Sequence, residues 1–329
     1  MSKQKNGLRP VNVRTDLAPL ADLIELAFAD TMDSSGRAAL REMRQMSRFG
    51  PGLAVISQFN DLALGIGMGY VWVEDGEIIG NVSIYPSGYP KDLPETYVIA
   101  NVAVHPDYRR QGIARQLMLA SMEHIAKCHA QAILQVEADN TGAHSLYRTL
   151  GFVDERVWTQ WRRTSYTQPP PLDPTLPEVY IRRRRRSEWE AEFQLARRIR
   201  PLDAGGLGWL RPLHPSEFKR SWWRRLIDWL SLRSVEHLVA VEDDQLIGSL
   251  WIHNSFGSSI RLTLLVEPDF QGMYDNILLH YAVKRFGHTP LVIEHPDDEH
   301  LTKMILQQYR FHPERTVIHM HWSPPSSTC

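Results

Sequence analysis

The chain has 329 residues, 43% hydrophobic and 23% charged, the make-up of a soluble globular protein of about two domains. Thirty-seven Lys+Arg against 38 Asp+Glu give a net charge of −1, which excludes a global basic field for nucleic acid or an anionic membrane. Two cysteines, Cys128 and Cys329, exclude a disulfide or zinc framework. The opening MSKQKNGLRPVNV lacks the apolar core of a signal peptide, and no apolar run reaches the roughly 18 residues of a membrane span. A cytoplasmic protein is expected.

Along the chain, a strand–turn–strand pattern covers Tyr70 to Ile84, with Asp75-Gly76 at the turn. An apolar strand ending at Val104 follows, then Val104-His-Pro-Asp-Tyr108, Gln111-Gly112 and a helix. Ala114, Leu117, Met118, Ser121 and Ile125 share one face of that helix, the stripe expected of packing on a sheet. A buried strand (Ala132–Glu137), a helix and a strand ending near Trp161 complete the first half. Residues 165–178 hold five prolines and read as a linker.

The second half repeats the order: Leu238 to Ile252 around Asp243-Asp244, Val266-Glu-Pro-Asp-Phe270, Gln271-Gly272, Leu291–Glu294, and a last strand near Trp322. Agreement in this order points to a tandem duplication. The expected fold is α/β (α+β), two tandem domains that are each a mixed, mostly antiparallel twisted sheet flanked by helices. The expected domains are 1–164 and 179–329, joined by 165–178.

The strongest chemical signal is Val102 to Arg115, where a strand ends and an Arg- and Gly-rich loop opens directly into a helix. Backbone N–H groups at a helix start form an anion-binding concavity, strengthened by the helix dipole. Gly112 permits close backbone approach, Ala114 keeps the first turn uncluttered, and Arg109, Arg110 and Arg115 supply charge matched to a pyrophosphate. Further on, Asn140 falls between a strand and a helix, as a cap or as a hydrogen-bonding group for an amide-bearing ligand. Tyr147 lies two turns later, a packing aromatic or a phenol able to protonate a leaving group.

Together these segments resemble the GCN5-related N-acetyltransferase (GNAT) family. Arg109-Arg-Gln-Gly112-Ile-Ala114 matches its acetyl-CoA motif, and Asn140, Ala143, Tyr147, Gly151 and Phe152 match the pattern that follows it. The resemblance implies that the fourth and fifth strands splay apart and that acetyl-CoA, as cosubstrate, lies between them. Backbone of the Val102-Ala103-Val104 stretch would meet the pantetheine arm and point an N–H at the thioester oxygen. Backbone of Gln111, Gly112, Ile113, Ala114 and Arg115 would hold the pyrophosphate. Asn140 and Ala143 would flank the pantetheine, and Tyr147 would protonate the departing thiolate.

The strand position where many members place a basic carboxylate reads Ile99-Ala100-Asn101. Glu137 is the nearest candidate base, with Glu95 a weaker one. The 86–95 loop and Asp30–Ser47 are expected to shape the acceptor site. The expected acceptor is a small-molecule primary amine, with no metal, nucleic acid or membrane and a monomeric or homodimeric chain. A non-catalytic acyl-CoA sensor or interaction protein, or a protein N-terminal acetyltransferase, are the alternatives.

The second copy has the layout without the chemistry. Its phosphate loop is two residues shorter, Tyr274 replaces the small residue, and Asp275 replaces Arg115. Counting back from Phe311 puts Glu299 at the Asn140 position and Leu306 at the Tyr147 position. This copy is expected not to bind acetyl-CoA productively and to serve as a scaffold. Three further features read as structural. Arg182–Arg186 reads as a solvated strand face. Trp209, Trp222, Trp223 and Trp229 read as packing. His295, His300, His312, His319 and His321 show no ligand spacing.

Overall fold

The computed structural model describes residues 6–29, 32, 34–49, 68–164, 168–177, 179–219, 233–242, 245–255 and 259–325. Asp30, Trp222, Trp223, Trp229 and the Asp243-Asp244 pair lie outside them. Clustering of the chain gives two compact units: Met1–Gln135, Gly142–Val153 and Met320–Cys329 form unit 1, and Val136–Thr141 and Asp154–His319 form unit 2.

In unit 1, β1 (Gly7–Pro10) is followed by helices α1 (Leu17–Ala27) and α2 (Ser34–Phe49). The hairpin β2 (Gly69–Glu74) and β3 (Glu77–Pro86) comes next, then β4 (Thr96–Val104), α3 (Ile113–Lys127), β5 (Gln131–Glu137) and α4 (Thr141–Thr149). The sheet order is β1-β2-β3-β4-β5, antiparallel except for the parallel β4–β5 pair. The hairpin turns where the sequence places it, because Asp75 and Gly76 both take the positive φ (+50° and +90°) of a tight two-residue turn.

The stripe read on α3 is largely buried: Leu117, Met118, Ser121 and Ile125 are each 0% exposed. Ala114 is only partly covered, and Ile113 and Met122 are buried beside them. The hydroxyl of buried Ser121 donates to the Leu117 carbonyl at 2.9 Å, so no donor is left unpaired there. Gly80 of β3 makes room for the first turn of α3. A Cβ at Gly80 would lie 2.8 Å from Ile113 Cγ2 and 3.1 Å from Leu117 Cδ1.

Unit 2 repeats the order. It runs β6 (Val153–Arg163), β7 (Tyr180–Arg183), α5 (Trp189–Ile199), α6 (Pro215–Phe218), β8 (Arg233–Glu242), β9 (Gln245–Ser255) and β10 (Ile260–Val266). It ends with α7 (Tyr274–Phe286), β11 (Leu291–Pro296), α8 (His300–Gln308) and β12 (His312–Trp322). Its strands are ordered β12-β6-β11-β10-β9-β8-β7, with β10 and β11 parallel. A core of Leu238, Leu250, Leu264, Leu278, Val283 and Ile293 lies between sheet and α7.

The unit boundary differs from the boundary read at the Pro-rich segment. β6 continues directly from Phe152, yet it pairs antiparallel with β11 from Arg163↔Leu291 to Trp158↔Pro296. The last strand of the first sequence copy is thus built into unit 2. In return, Met320–Trp322 belong to unit 1, where Trp322 lies 6.4 Å from Phe152 between ring centroids. Hydrogen bonding, not chain order, decides the membership of a strand. Residues 168–177 form neither helix nor strand.

The seating of α3 gives a direct test. Gly80→Val should destabilise the protein by about 1–3 kcal/mol through overpacking, because its side chain would meet Ile113 and Leu117, read as a lower denaturation midpoint than that of the unsubstituted protein.

Candidate active site

Two irregularities in the sheet of unit 1 create the site. First, β4 and β5 pair over only three rungs, Thr96↔Gln131, Tyr97↔Ala132 and Val98↔Ile133. Beyond these rungs the strands part, and among the described residues no strand pairs with the β5 side of Ile99 to Val104. Second, the β3–β4 register shifts between Asn81 and Ser83: Asn81 faces Ala103, but Ser83 faces Ala100. One extra residue is therefore held in β4, and Asn101 takes φ +52° there. Such a bulge re-aims the backbone groups around it.

The open end of the splay leads into the Arg-rich loop. Pro106–Tyr108 make one 3-10 turn, then Arg110 (φ +64°) and Gly112 (φ +81°) bend the chain into α3. The first backbone bond of the helix runs from Gln116 N–H to the Gly112 carbonyl at 3.1 Å. The N–H groups of Ile113, Ala114 and Arg115 thus have no intrahelical acceptor. Among the described residues, nothing beyond the adjoining backbone lies within 4 Å of where a Gly112 Cβ would stand. Arg109 and Arg110 are exposed, with Arg109 Nε donating to the Val104 carbonyl at 3.3 Å. Arg115 Nη1 reaches Thr149 Oγ1 at 3.3 Å and ties the start of α3 to the end of α4. These features fit an extended ligand with a diphosphate at the loop and an amide-bearing arm along the splay.

Tyr147 sits on α4 of the same unit, 6% exposed and 6.1 Å from Phe152 between ring centroids. Burial pushes its phenol up to about 12, so it stays protonated at neutral pH and can donate. Ala143 is half-buried on the same helix. Glu95 precedes Thr96 at the closed end of the β4–β5 pair, about 10 Å of strand before the parting at Val98. It accepts from the Tyr97 hydroxyl at 3.3 Å. Glu137 falls in the segment that belongs to unit 2, where its carboxylate accepts from Arg315 Nε at 2.6 Å; a role as base requires that pair to open. Asn140 lies in the same segment, exposed and directly before α4.

Unit 2 keeps the splay and fills it. β10 and β11 also pair over three rungs, ending at Leu262↔Ile293. At the first unpaired position of each strand the 205–211 loop intervenes. Arg211 Nη1 donates to Thr263 Oγ1 at 2.8 Å, and a Cβ on Gly208 would lie 3.2 Å from Glu294 Oε2. Further along, the buried Glu299 carboxylate accepts from Arg200 Nη2 at 3.1 Å and from Gln271 Nε2 at 3.2 Å, and His295 Nε2 lies 3.0 Å away. The helix start is filled too. Asp275, 0% exposed, accepts from the Asn276 N–H at 2.9 Å and from Thr302 Oγ1 at 2.8 Å. A carboxylate of the chain itself thus occupies the place of an anion. Glu299 precedes α8 as Asn140 precedes α4, and Leu306 matches Tyr147 in register, as counted from the sequence.

The arginine run is neutralised within unit 2. Arg182 binds Glu188 through two bonds of 2.8 and 2.7 Å, Arg183 binds Glu236 at 2.6 Å, and Arg184 lies 3.0 Å from the fully buried Glu192. Alternate side chains face solvent as read: Arg183 and Arg185 are 77% and 72% exposed, Arg182 and Arg184 18% and 10%. Trp209 and His319 pack as read, with His319 stacked on Trp158 (5.7 Å) and 5.2 Å from Trp209. Burial pulls His319 down to about 3. Among the described residues no group of three or more His, Cys, Asp or Glu is placed to hold a metal, and no helix is long and apolar enough to cross a membrane. Sequence reasoning singled out Asp275 and Glu299 but missed Arg200 and the 205–211 loop, which pack there from distant parts of the chain.

Each unit has a parallel pair that parts after three rungs and a helix beginning at the open end, the same mixed α/β fold in tandem. Residues 38–152 match the family model described as "Acetyltransferase (GNAT) family". It is 31% identical over 165 residues to a mycothiol acetyltransferase of Kocuria rhizophila, covering 47% of this chain and 48% of the relative. The chain spans between about a fifth and a half of the length of the curated relatives it matches. Two solved structures share the fold over almost the whole chain. One is a GCN5-related N-acetyltransferase from Sphaerobacter thermophilus (TM-score 0.58, 16% identity, 96% of this chain and 95% of that one). The other is a tandem GNAT protein from the clavulanic acid biosynthesis pathway (TM-score 0.52, 15% identity, 98% and 100%).

Glu155 of β6 gives a pH-dependent test of unit 2. Burial pushes its carboxyl up to about 7, so the folded state binds its proton more tightly than the unfolded chain does. Its contribution to stability is complete below the ordinary glutamate pKa and is lost as pH rises through about 7. Glu155→Gln should therefore raise the melting temperature at pH 8 by a few degrees and leave it nearly unchanged at pH 4, read by thermal denaturation at the two pH values.

Proposed function

We propose that the protein is an acetyl-CoA-dependent N-acetyltransferase whose first domain transfers the acetyl group to a primary amine of a small molecule, with the second domain as scaffold. The contrast between the two splays carries this reading. The same architecture is open and flanked by Arg109, Arg110 and Arg115 in unit 1, and is filled by the chain's own carboxylates and loop in unit 2.

Acetyl-CoA supplies a thioester-activated acetyl group. The N–H groups of Gln111 to Arg115 hold its diphosphate with the helix dipole and the arginines behind them. Backbone of Val102, Ala103 and Val104 pairs with the pantetheine arm, and an N–H from this stretch stabilises the charge that develops on the carbonyl oxygen. Asn140 and Ala143 flank the arm. Tyr147 gives its proton to the departing sulfur, and its burial keeps that proton available. The amine attacks in its neutral form, directly, in a ternary complex.

Calorimetric titration with acetyl-CoA tests the whole reading. One site per chain is expected, and Asp275 and Glu299 imply that the second domain adds none; two sites would overturn the scaffold role. Arg109→Glu with Arg110→Glu should weaken acetyl-CoA binding by about tenfold or more, and the loss should shrink as salt is raised. Tyr147→Phe should lower turnover by about 10²-fold or more with acetyl-CoA affinity nearly unchanged. Equal loss of both would remove the phenol from the mechanism.

A further inference from the structure

The bulge in β4 separates the two domains by one residue. In unit 1, Gly80 to Ser83 lie opposite Val104 back to Ala100, three steps against four. In unit 2, Gly248 to Trp251 lie opposite Val266 back to Thr263, three steps against three, with no shift. The filled domain has a regular strand; the open one holds Asn101 in a left-handed conformation that costs a non-glycine residue energy. Something in unit 1 must hold it there.

Asn81 of β3 does so. It is 1% exposed, and its Nδ2 donates to the Asn101 carbonyl at 3.0 Å, while Asn101 Nδ2 reaches Ser83 Oγ at 3.3 Å. The remaining amide oxygen of Asn81 is buried without a donor, an unfavourable arrangement that sets the worth of the Nδ2 contact. A trans peptide places its C=O and N–H on opposite sides. With the Asn101 carbonyl turned toward Asn81, the N–H of Val102 points away from β3, to the side that β5 has left. In unit 2 the corresponding residue is Ser249, whose hydroxyl turns instead to the buried carboxylate of Glu192.

We propose that Asn81 is a positioning residue: by binding the Asn101 carbonyl it fixes the β4 bulge and aims the Val102 N–H at the thioester oxygen of acetyl-CoA. This rests on the acetyl-CoA reading above. It assigns to a β3 side chain, remote from the phosphate loop, the discrimination between acetyl-CoA and free CoA, because only the thioester carries the oxygen that the N–H meets.

The test compares acetyl-CoA and CoA binding to the full-length protein and to Asn81→Leu, by calorimetry. The substitution should weaken acetyl-CoA by roughly five- to tenfold, the worth of one hydrogen bond, and leave CoA unchanged. The infrared carbonyl stretch of bound, carbonyl-labelled acetyl-CoA should move to higher frequency as its hydrogen bond is lost. Asn81→Ser, which places the second domain's residue in the first, should behave in the same way and serves if the leucine variant does not fold. Equal weakening of both ligands, or no change in either, would overturn the positioning role and leave the acetyl-CoA reading intact. Failure of the unsubstituted protein to bind either ligand would overturn that reading and the positioning role with it.

Discussion

Parallel pairing that stops after three rungs is the constraint on which the rest of the structure depends. A strand that loses its neighbour leaves a row of N–H and C=O groups, and buried backbone groups of that kind must find partners. In unit 2 side chains at the parting are held by the chain itself: Thr263 by Arg211, Glu294 close against Gly208, and Glu299 by Arg200 beyond. In unit 1 the parting of β4 from β5 is flanked by the Arg109–Arg115 loop, whereas in unit 2 side chains of the 205–211 loop pack at it.

The helix starts follow the same logic. α3 and α7 both begin after a glycine of left-handed conformation, Gly112 at φ +81° and Gly272 at φ +87°. Each presents the partial positive charge of a helix dipole. Around α3 that charge is reinforced by arginines and left open. At α7 the Asp275 carboxylate takes the free N–H and the position of an anion, with Thr302 on its second oxygen. A duplicated domain can lose a ligand without losing the architecture that bound it, provided an internal group of like charge replaces the ligand.

Burial of ionisable groups is concentrated in unit 2 and is structural there. Glu192 is fully buried, yet His237, Ser249, Trp251 and Arg184 surround it, and its carboxyl is held below the ordinary range by those hydrogen bonds and charges despite desolvation. The pairing of Arg182 to Arg185 with Glu188, Glu192 and Glu236 turns the most basic stretch of the sequence into part of this internal network. In unit 1, Tyr147 is the buried titratable group on the helix beside the phosphate loop, and burial suits a proton donor.

Much of this was legible in the sequence because it is local. Hydrophobic periodicity gave α3 and its buried stripe, Asp75-Gly76 gave the hairpin, and the order of motifs gave the repeated architecture. The spacing to Phe311 placed Glu299 and Leu306 in the right register. What required tertiary structure is long-range. β6 pairs with β11 rather than completing the domain that precedes it, because strand pairing is won by hydrogen bonds between segments over a hundred residues apart. Glu137 meets Arg315, Arg200 meets Glu299, and Asn81 meets Asn101 across strands whose register one inserted residue has shifted. Composition and spacing determine which groups a chain can bring together; only the folded sheet, by fixing where two strands part, decides which of them face an open cleft.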